Sequence, residues 1–314
     1  MPPGNGLLAL DALAFALASA VAFAALDLAQ KWSSRYAVPT PAAFLALRLL
    51  AGAALSPLLL LLPGAFALTD FSAPTWGLLL GLTAANLLGN VLYLRSVYKA
   101  DISVVGSLWP LKNLYLPFLA LLLPPHERFT PLVYALVLAA TVGAVGIAYN
   151  DRLRLRALTE RPVWMMVLVT VPVFALSDKL LGQASLAVGA RLATVLVAWG
   201  LALLGVPALL LNPATRAEVR AALTNRHGLA GAFLTGLFLV IGVACIGEAF
   251  KRAGGAVVLV NVFAMSSGLI LLAANAARPG WLDTDNRRVY AVRFLGALVL
   301  IAAATALLLI PKPS

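Results

Sequence analysis

Apolar stretches of about 20 residues alternate with short polar patches along the whole chain, the spacing of helices that cross a bilayer core about 30 Å thick. Cutting at turn residues and charges predicts ten helices, at roughly 7–31, 41–63, 75–97, 102–123, 130–149, 163–181, 186–211, 229–250, 256–277 and 288–310. Most connections are short, as at Pro63-Gly64, at Pro124 to Arg128 and at Gly254-Gly255. Two are longer and more polar, 150–162 and 212–228, and no stretch remains for a soluble domain. The first apolar stretch lacks the basic start of a secretory signal, since Met1 to Gly6 holds no Lys or Arg, and reads as a retained helix.

Composition makes the same case. Of 314 residues, 62% are apolar and 11% charged, with a mean hydropathy of +0.97, far outside soluble averages. The net charge of +11 would suggest nucleic acid in a soluble protein; in the loops of a membrane protein the positive-inside rule accounts for it, and no nucleic-acid partner is expected. No phosphate-binding glycine loop points to an ATP motor. The single cysteine, Cys245, lies in an apolar stretch, and His126 and His227 are far apart. Neither a disulfide nor a metal site nor a cofactor is expected.

The polar loop 151–162 separates two halves, 1–150 and 163–314, each with five predicted helices. Three correspondences link them in the same order. Ala-Phe-Ala-Ala-Leu-Asp ending at Asp27 parallels Val-Phe-Ala-Leu-Ser-Asp ending at Asp178; Arg48 parallels Arg191; and Tyr98-Lys99-Ala100 before Val104-Val105 parallels Lys251-Arg252-Ala253 before Val257-Val258. The offsets are 151, 143 and 153 residues. An odd number of spans per copy inverts the second copy, and two inverted five-helix repeats provide the usual basis of alternating access. The predicted architecture is thus an all-α integral membrane protein of ten transmembrane helices in two inverted repeats.

Against that pattern the chain resembles the drug/metabolite transporter superfamily, specifically its EamA-like ten-helix proteins. The resemblance runs through Lys31, Ala46-Leu47-Arg48, Tyr98-Lys99-Ala100, Pro110 and Glu127 in the first half. The second half departs from it, with Phe263 opposite Pro110 and no counterpart of Glu127. The resemblance implies a secondary transporter or exporter of small metabolites that rocks two repeats without a cofactor.

Polar residues inside apolar spans need a reason, since a charge at a helix centre costs about 2.5–3.5 kcal/mol on insertion scales. Trp109, Lys112 and Asn113 share a face of the fourth helix and form the leading substrate-facing surface. An ion pair of Lys112 with an acid such as Glu248 is the structural alternative. Asn86, Asn90 and Tyr93 make a polar stripe on the third helix, with interhelical packing favoured for Asn86 and binding for the other two. Asn261 on the ninth helix completes the expected substrate-binding set. Asp27 and Lys31 are spaced for a helical pair. Asp27 and Asp178, opposite Arg48 or Arg191, are gate or coupling candidates, and Glu248 is a third acid that would change proton affinity as access alternates. Deep cations outnumber comparably placed acids, which favours an anionic or zwitterionic solute. Pro110, Pro117 and Pro172 are expected to bend their helices.

Loop cations gather after odd-numbered helices, Arg152, Arg154, Arg156 and Arg161 among them, while the other side holds Arg128, Lys179, Lys251, Arg252 and Lys312. By this count both termini lie outside; the resemblance places them inside. The expected location is a bacterial inner membrane, and the partners are a small solute, the bilayer and a coupling proton or counter-solute. The competing function classes are a membrane enzyme or a flippase acting on a lipid-linked substrate. Against an enzyme, the loop acids are scattered among arginines, with Asp283 and Asp285 the one cluster.

Overall fold

The computed structural model describes residues 8–36, 40–62, 71–99, 108–124, 126–149, 161–277 and 287–310. Among these there is no strand. We number the helices α1 (Leu10–Tyr36), α2 (Pro41–Leu55, continued by a 3-10 segment Ser56–Leu61), α3 (Ala73–Lys99), α4 (Lys112–Leu122, led in by a 3-10 turn Trp109–Leu111) and α5 (Pro131–Ala148). The second half of the chain holds α6 (Val171–Val188), α7 (Ala190–Leu210), α8 (Pro213–Thr224), α9 (Arg226–Arg252), α10 (Val257–Ala264), α11 (Ser267–Ala277) and α12 (Arg287–Leu309). The short helix Arg161–Met165 and a π turn, Met166–Thr170, lead into α6.

Eight of the described helical segments are long and apolar enough to cross a bilayer, which makes this an all-α membrane protein. One further apolar stretch is interrupted, between α10 and α11, and α4 begins from the 3-10 turn Trp109–Leu111.

Local chemistry sets the ends. Proline occupies the first turn of α2, α5 and α8, where its missing N–H is no loss. Asn212 and Asn225 cap α8 and α9, accepting from the Ala214 and His227 backbone N–H groups at 3.0 and 2.9 Å. Gly189, at φ +83°, turns the chain from α6 into α7.

Two expectations are corrected here. The segment 212–228 is no loop: its cap, its Pro213 start and the burial of Thr215, Val219 and Ala222 on one face make α8 a short surface helix. The sixth span continues to Val188, past the expected end at 181, and stops only at Gly189, whose positive φ ends the helix. Ser185 is fully buried and the Gln183 amide donates to the Pro124 carbonyl.

Close contacts fix the relative directions. α1 and α9 are antiparallel: Asp11 meets Arg252 at 2.6 Å and the Ser19 hydroxyl donates to the Gly242 carbonyl at 3.1 Å. α3 and α6 are antiparallel, with Gly89 against the Phe174 ring and Gly81 against Leu180. α3 and α7 are parallel, with Thr83 at Gly200 and Leu87 at Gly205. Backbone meets backbone between α5 and α12, where a Cβ on Gly143 would stand 2.6 Å from the Leu300 nitrogen and one on Gly296 would stand 2.6 Å from the Gly143 oxygen. Small residues permit such approach in membrane helices.

Candidate functional site

Helices α1, α2, α3, α4 and α6 carry a connected set of interior polar groups. On α2, buried Arg48 donates through Nη2 to the Asn90 side-chain oxygen on α3, while its Nε has no partner among the described residues. The Asn90 amide in turn donates to the Asn86 carbonyl at 2.7 Å, so one helix turn aims its oxygen at the guanidinium. Asp27 lies well inside α1, interacts electrostatically with Arg48 and Tyr93, and is nevertheless exposed. A carboxylate that is both deep in a helix and accessible faces an open space rather than packed side chains.

Tyr93 continues this surface into an aromatic wall. Its ring meets Trp109 at 5.3 Å and Phe174 at 6.5 Å between centroids, and Trp109 meets Phe174 at 4.5 Å. The absence of a side chain at Gly89 admits the Phe174 ring, whose nearest atom would be 3.0 Å from a Cβ there. Beyond the wall, the Lys112 ammonium donates to Asp178 at 2.8 Å and lies 5.9 Å from the Trp109 ring centre. Both members of the pair retain partial exposure, 13% and 17%. Tyr115, one turn along α4, donates to the Val167 carbonyl in the π turn at 3.0 Å and ties that irregular backbone to the same helix.

A second ion pair lies toward the face where α1 begins. Lys179, fully buried, donates to Glu127 at 2.6 Å, and the other Glu127 oxygen accepts from the Val258 N–H at 3.4 Å, at the start of α10. A carboxylate at a helix N-terminus meets unpaired N–H groups and the positive end of the helix dipole. Burial nonetheless holds the Glu127 carboxyl above the usual carboxylate range, while Lys179 and the α10 N–H groups pull it down. Contacts on the same face add the Asp11–Arg252 pair, the Arg252–Glu248 pair at 3.7 Å and the Arg191 bond to the Leu62 carbonyl at 2.9 Å.

The structure therefore brings together Asp27, Arg48, Asn90, Tyr93, Trp109, Lys112 and Asp178, and it leaves others apart. Lys112 pairs with Asp178 and not with Glu248, which takes Arg252 one turn along its own helix. Arg191 bonds a backbone carbonyl and does not meet either aspartate of the expected locks; of the two, Asp27 faces Arg48. Lys179 is no loop cation but a buried span residue. The side-chain amide of Asn86 donates to the Leu82 carbonyl at 3.1 Å, a bond within its own helix. Asn113 and Asn261 are both fully buried: Asn261 donates to the Val257 carbonyl at 3.0 Å, and Asn113 turns to the α4–α5 side while its neighbour Lys112 pairs with Asp178. The side chain of Lys31 and the loop acids Asp283 and Asp285 lie outside the described residues, so the Asp27–Lys31 pair does too. Phe174 and the Glu127–Lys179 pair were not singled out by sequence. An acid in a Pro-Pro-His-Glu-Arg turn and a lysine beside a candidate aspartate are visible there, but their meeting is not.

Comparison with known proteins yields a fold and nothing of function. No family model and no curated protein matches this chain. A solved structure, described only as the crystal structure of a protein, is similar with a TM-score of 0.65 and 17% identity, over 95% of this chain and 98% of that one. At that identity the likeness is one of fold alone.

Proposed function

We propose that this protein is a secondary transporter of a small polar metabolite, preferably zwitterionic, and that it works by alternating access between two inverted five-helix repeats. The observation that carries the proposal is the unpartnered, buried Nε of Arg48 opposite the accessible carboxylate of Asp27. An unsatisfied guanidinium donor in a membrane interior is costly, and a ligand carboxylate would satisfy it with a charge-assisted bond. Asp27 offers a complementary site for an ammonium. The aromatic wall adjoins these charges and gives the solute an apolar flank, with the Lys112–Asp178 pair on its far side.

The repeat reading draws support from how the helices pair. Exchanging each span of the first half with its counterpart in the second turns the α1–α9 contact into α6–α3, α2–α9 into α7–α3, and α1–α10 into α6–α4, all of which occur. The α5–α12, α2–α7 and α4–α10 contacts map onto themselves. The ninth span is interrupted between α10 and α11, the kind of broken helix at which transporters place binding sites. The Glu127–Lys179 pair joins the α4–α5 turn, α6 and α10, and in this reading it is the closed gate of one face. The resemblance to EamA-like drug/metabolite transporters and a bacterial inner-membrane location belong to the same proposal.

Uptake of a radiolabelled metabolite panel into proteoliposomes, wild type against Lys112→Ala, tests it. A protein-dependent flux of an amino-acid-like solute that the variant loses is the expected result. Lipid turnover or flipping without flux of any solute would overturn the reading.

A further inference from the structure

Helix α8 is a charged, amphipathic segment that the central site does not use. It joins two spans with almost no loop: α7 ends at Leu210, α8 runs from Pro213 to Thr224, and α9 starts at Arg226. Its Val219 and Ala222 form one buried cluster with Ala43, Ala46 and Leu47, in the first two turns of α2, and with Ala232 of α9. Three spans thus begin or end at α8, which puts this short helix at the boundary between hydrocarbon and headgroups. Leu211, Leu223 and Leu229, on and beside it, are 77%, 45% and 48% exposed.

The charges of α8 are sorted by flank. Arg216, Arg220 and Leu223, spaced i, i+4 and i+7, share one side of the helix. Glu218 lies on the other, where its carboxylate accepts from the Thr40 hydroxyl at the start of α2. Both arginines are exposed, and neither meets an acid among the described residues. Arg216 is held in place by the end of α7, since its Nε and Nη2 both donate to the Leu210 carbonyl, at 3.2 and 3.0 Å, which leaves Nη1 for another acceptor. Exposed Arg226 opens α9, an end of a helix where the dipole disfavours a cation. Like charges one turn apart and a cation at a positive helix end are both unfavourable until an anion lies among them.

We propose that the arginine flank of α8 binds the phosphodiester of an anionic phospholipid, with its acyl chains against the exposed leucines. A guanidinium meets a phosphate with two parallel N–H···O bonds, and Arg216 is oriented in advance by its hold on α7. A lipid fits better than a free phosphate, because Leu211, Leu223 and Leu229 need an apolar cover that a small anion does not supply. A zwitterionic headgroup fits less well, because it would bring its own cation beside Arg216, Arg220 and Arg226. The site stands whether or not the central cavity carries a solute.

The test uses the full chain in phosphatidylcholine nanodiscs with a small fraction of phosphatidylglycerol that bears a diazirine close to its glycerol, its adducts mapped by mass spectrometry. Adducts are expected to concentrate on 211–229. Unlabelled phosphatidylglycerol should suppress them, while added phosphatidylcholine and glycerol 3-phosphate should not. Arg220→Gln together with Arg226→Gln should reduce the labelling at least tenfold, at about fivefold for each arginine near an anionic surface. Raised salt should weaken the labelling of the unaltered chain, and it decides the matter if the double variant fails to fold. Equal suppression by phosphatidylcholine would mean an ordinary lipid belt, and suppression by glycerol 3-phosphate a phosphate site without lipid. Labelling that ignores salt, or that the folded double variant keeps, would mean a helix held by its leucines alone. Each of these results would overturn the proposal.

Discussion

Asp178 and Lys179 are consecutive residues of α6, and each anchors an ion pair of opposite surroundings. About 100° of helix rotation separates neighbouring side chains, so Asp178 turns to Lys112 beside the aromatic wall while Lys179 turns to Glu127 and the start of α10. The first pair keeps 13% and 17% exposure; the second has 0% and 7%. The lesson is that one helix turn supplies a pair that keeps some access from outside the packing and a pair that can separate only if protein moves around it.

Removing one member of each pair should break the symmetry most clearly. Lys179→Met leaves Glu127 buried without its cation and should cost about 3–5 kcal/mol, read as a large fall in the thermal unfolding midpoint in detergent. Lys112→Met should cost less than about 2 kcal/mol by the same measurement, because Asp178 retains access to water. Equal losses would mean that the two environments do not differ as described. Replacing both partners sharpens the contrast: Glu127→Met together with Lys179→Met should recover most of the stability lost by the lysine change alone, since no charge is then stranded.

Function should rank the pairs the other way. Asp178→Asn is expected to lower solute flux at least about tenfold, near 1.4 kcal/mol of binding or barrier, with a smaller stability loss than Lys179→Met. A smaller effect is expected at Arg48. Arg48→Lys keeps the charge but loses the planar fork that reaches Asn90 while leaving Nε for a ligand, and KM should rise about fivefold, near 1 kcal/mol. An unchanged KM would remove Arg48 from the binding surface.

Much of this fold is legible from periodic apolar stretches alone, because a bilayer imposes span length directly on sequence. What the pattern misses has specific causes. Segment 212–228 reads as loop because its mean polarity hides an amphipathic face of only three buried residues, Thr215, Val219 and Ala222. The interior polar residues are also legible as a set: Asp27, Arg48, Asn90, Tyr93, Trp109, Lys112 and Asp178 do converge. Their partners are not, since pairing depends on helix rotation and tilt. Lys112 and Asn113 are neighbours in the chain, yet Lys112 pairs with Asp178 while Asn113 is buried on the α4–α5 side, and Glu248 finds Arg252 on its own helix before any more distant cation.

The glycine seam between α5 and α12 bears on any such movement. At Gly143, Gly146 and Gly296 main chain meets main chain, and the Arg293 side chain is bonded to the Tyr149 carbonyl at 2.7 Å, so at these positions no side chain stands between the helices to absorb a displacement. If the halves of the molecule turn against each other, this seam is the fulcrum, and the longest arcs are swept by the parts of the bundle farthest from it.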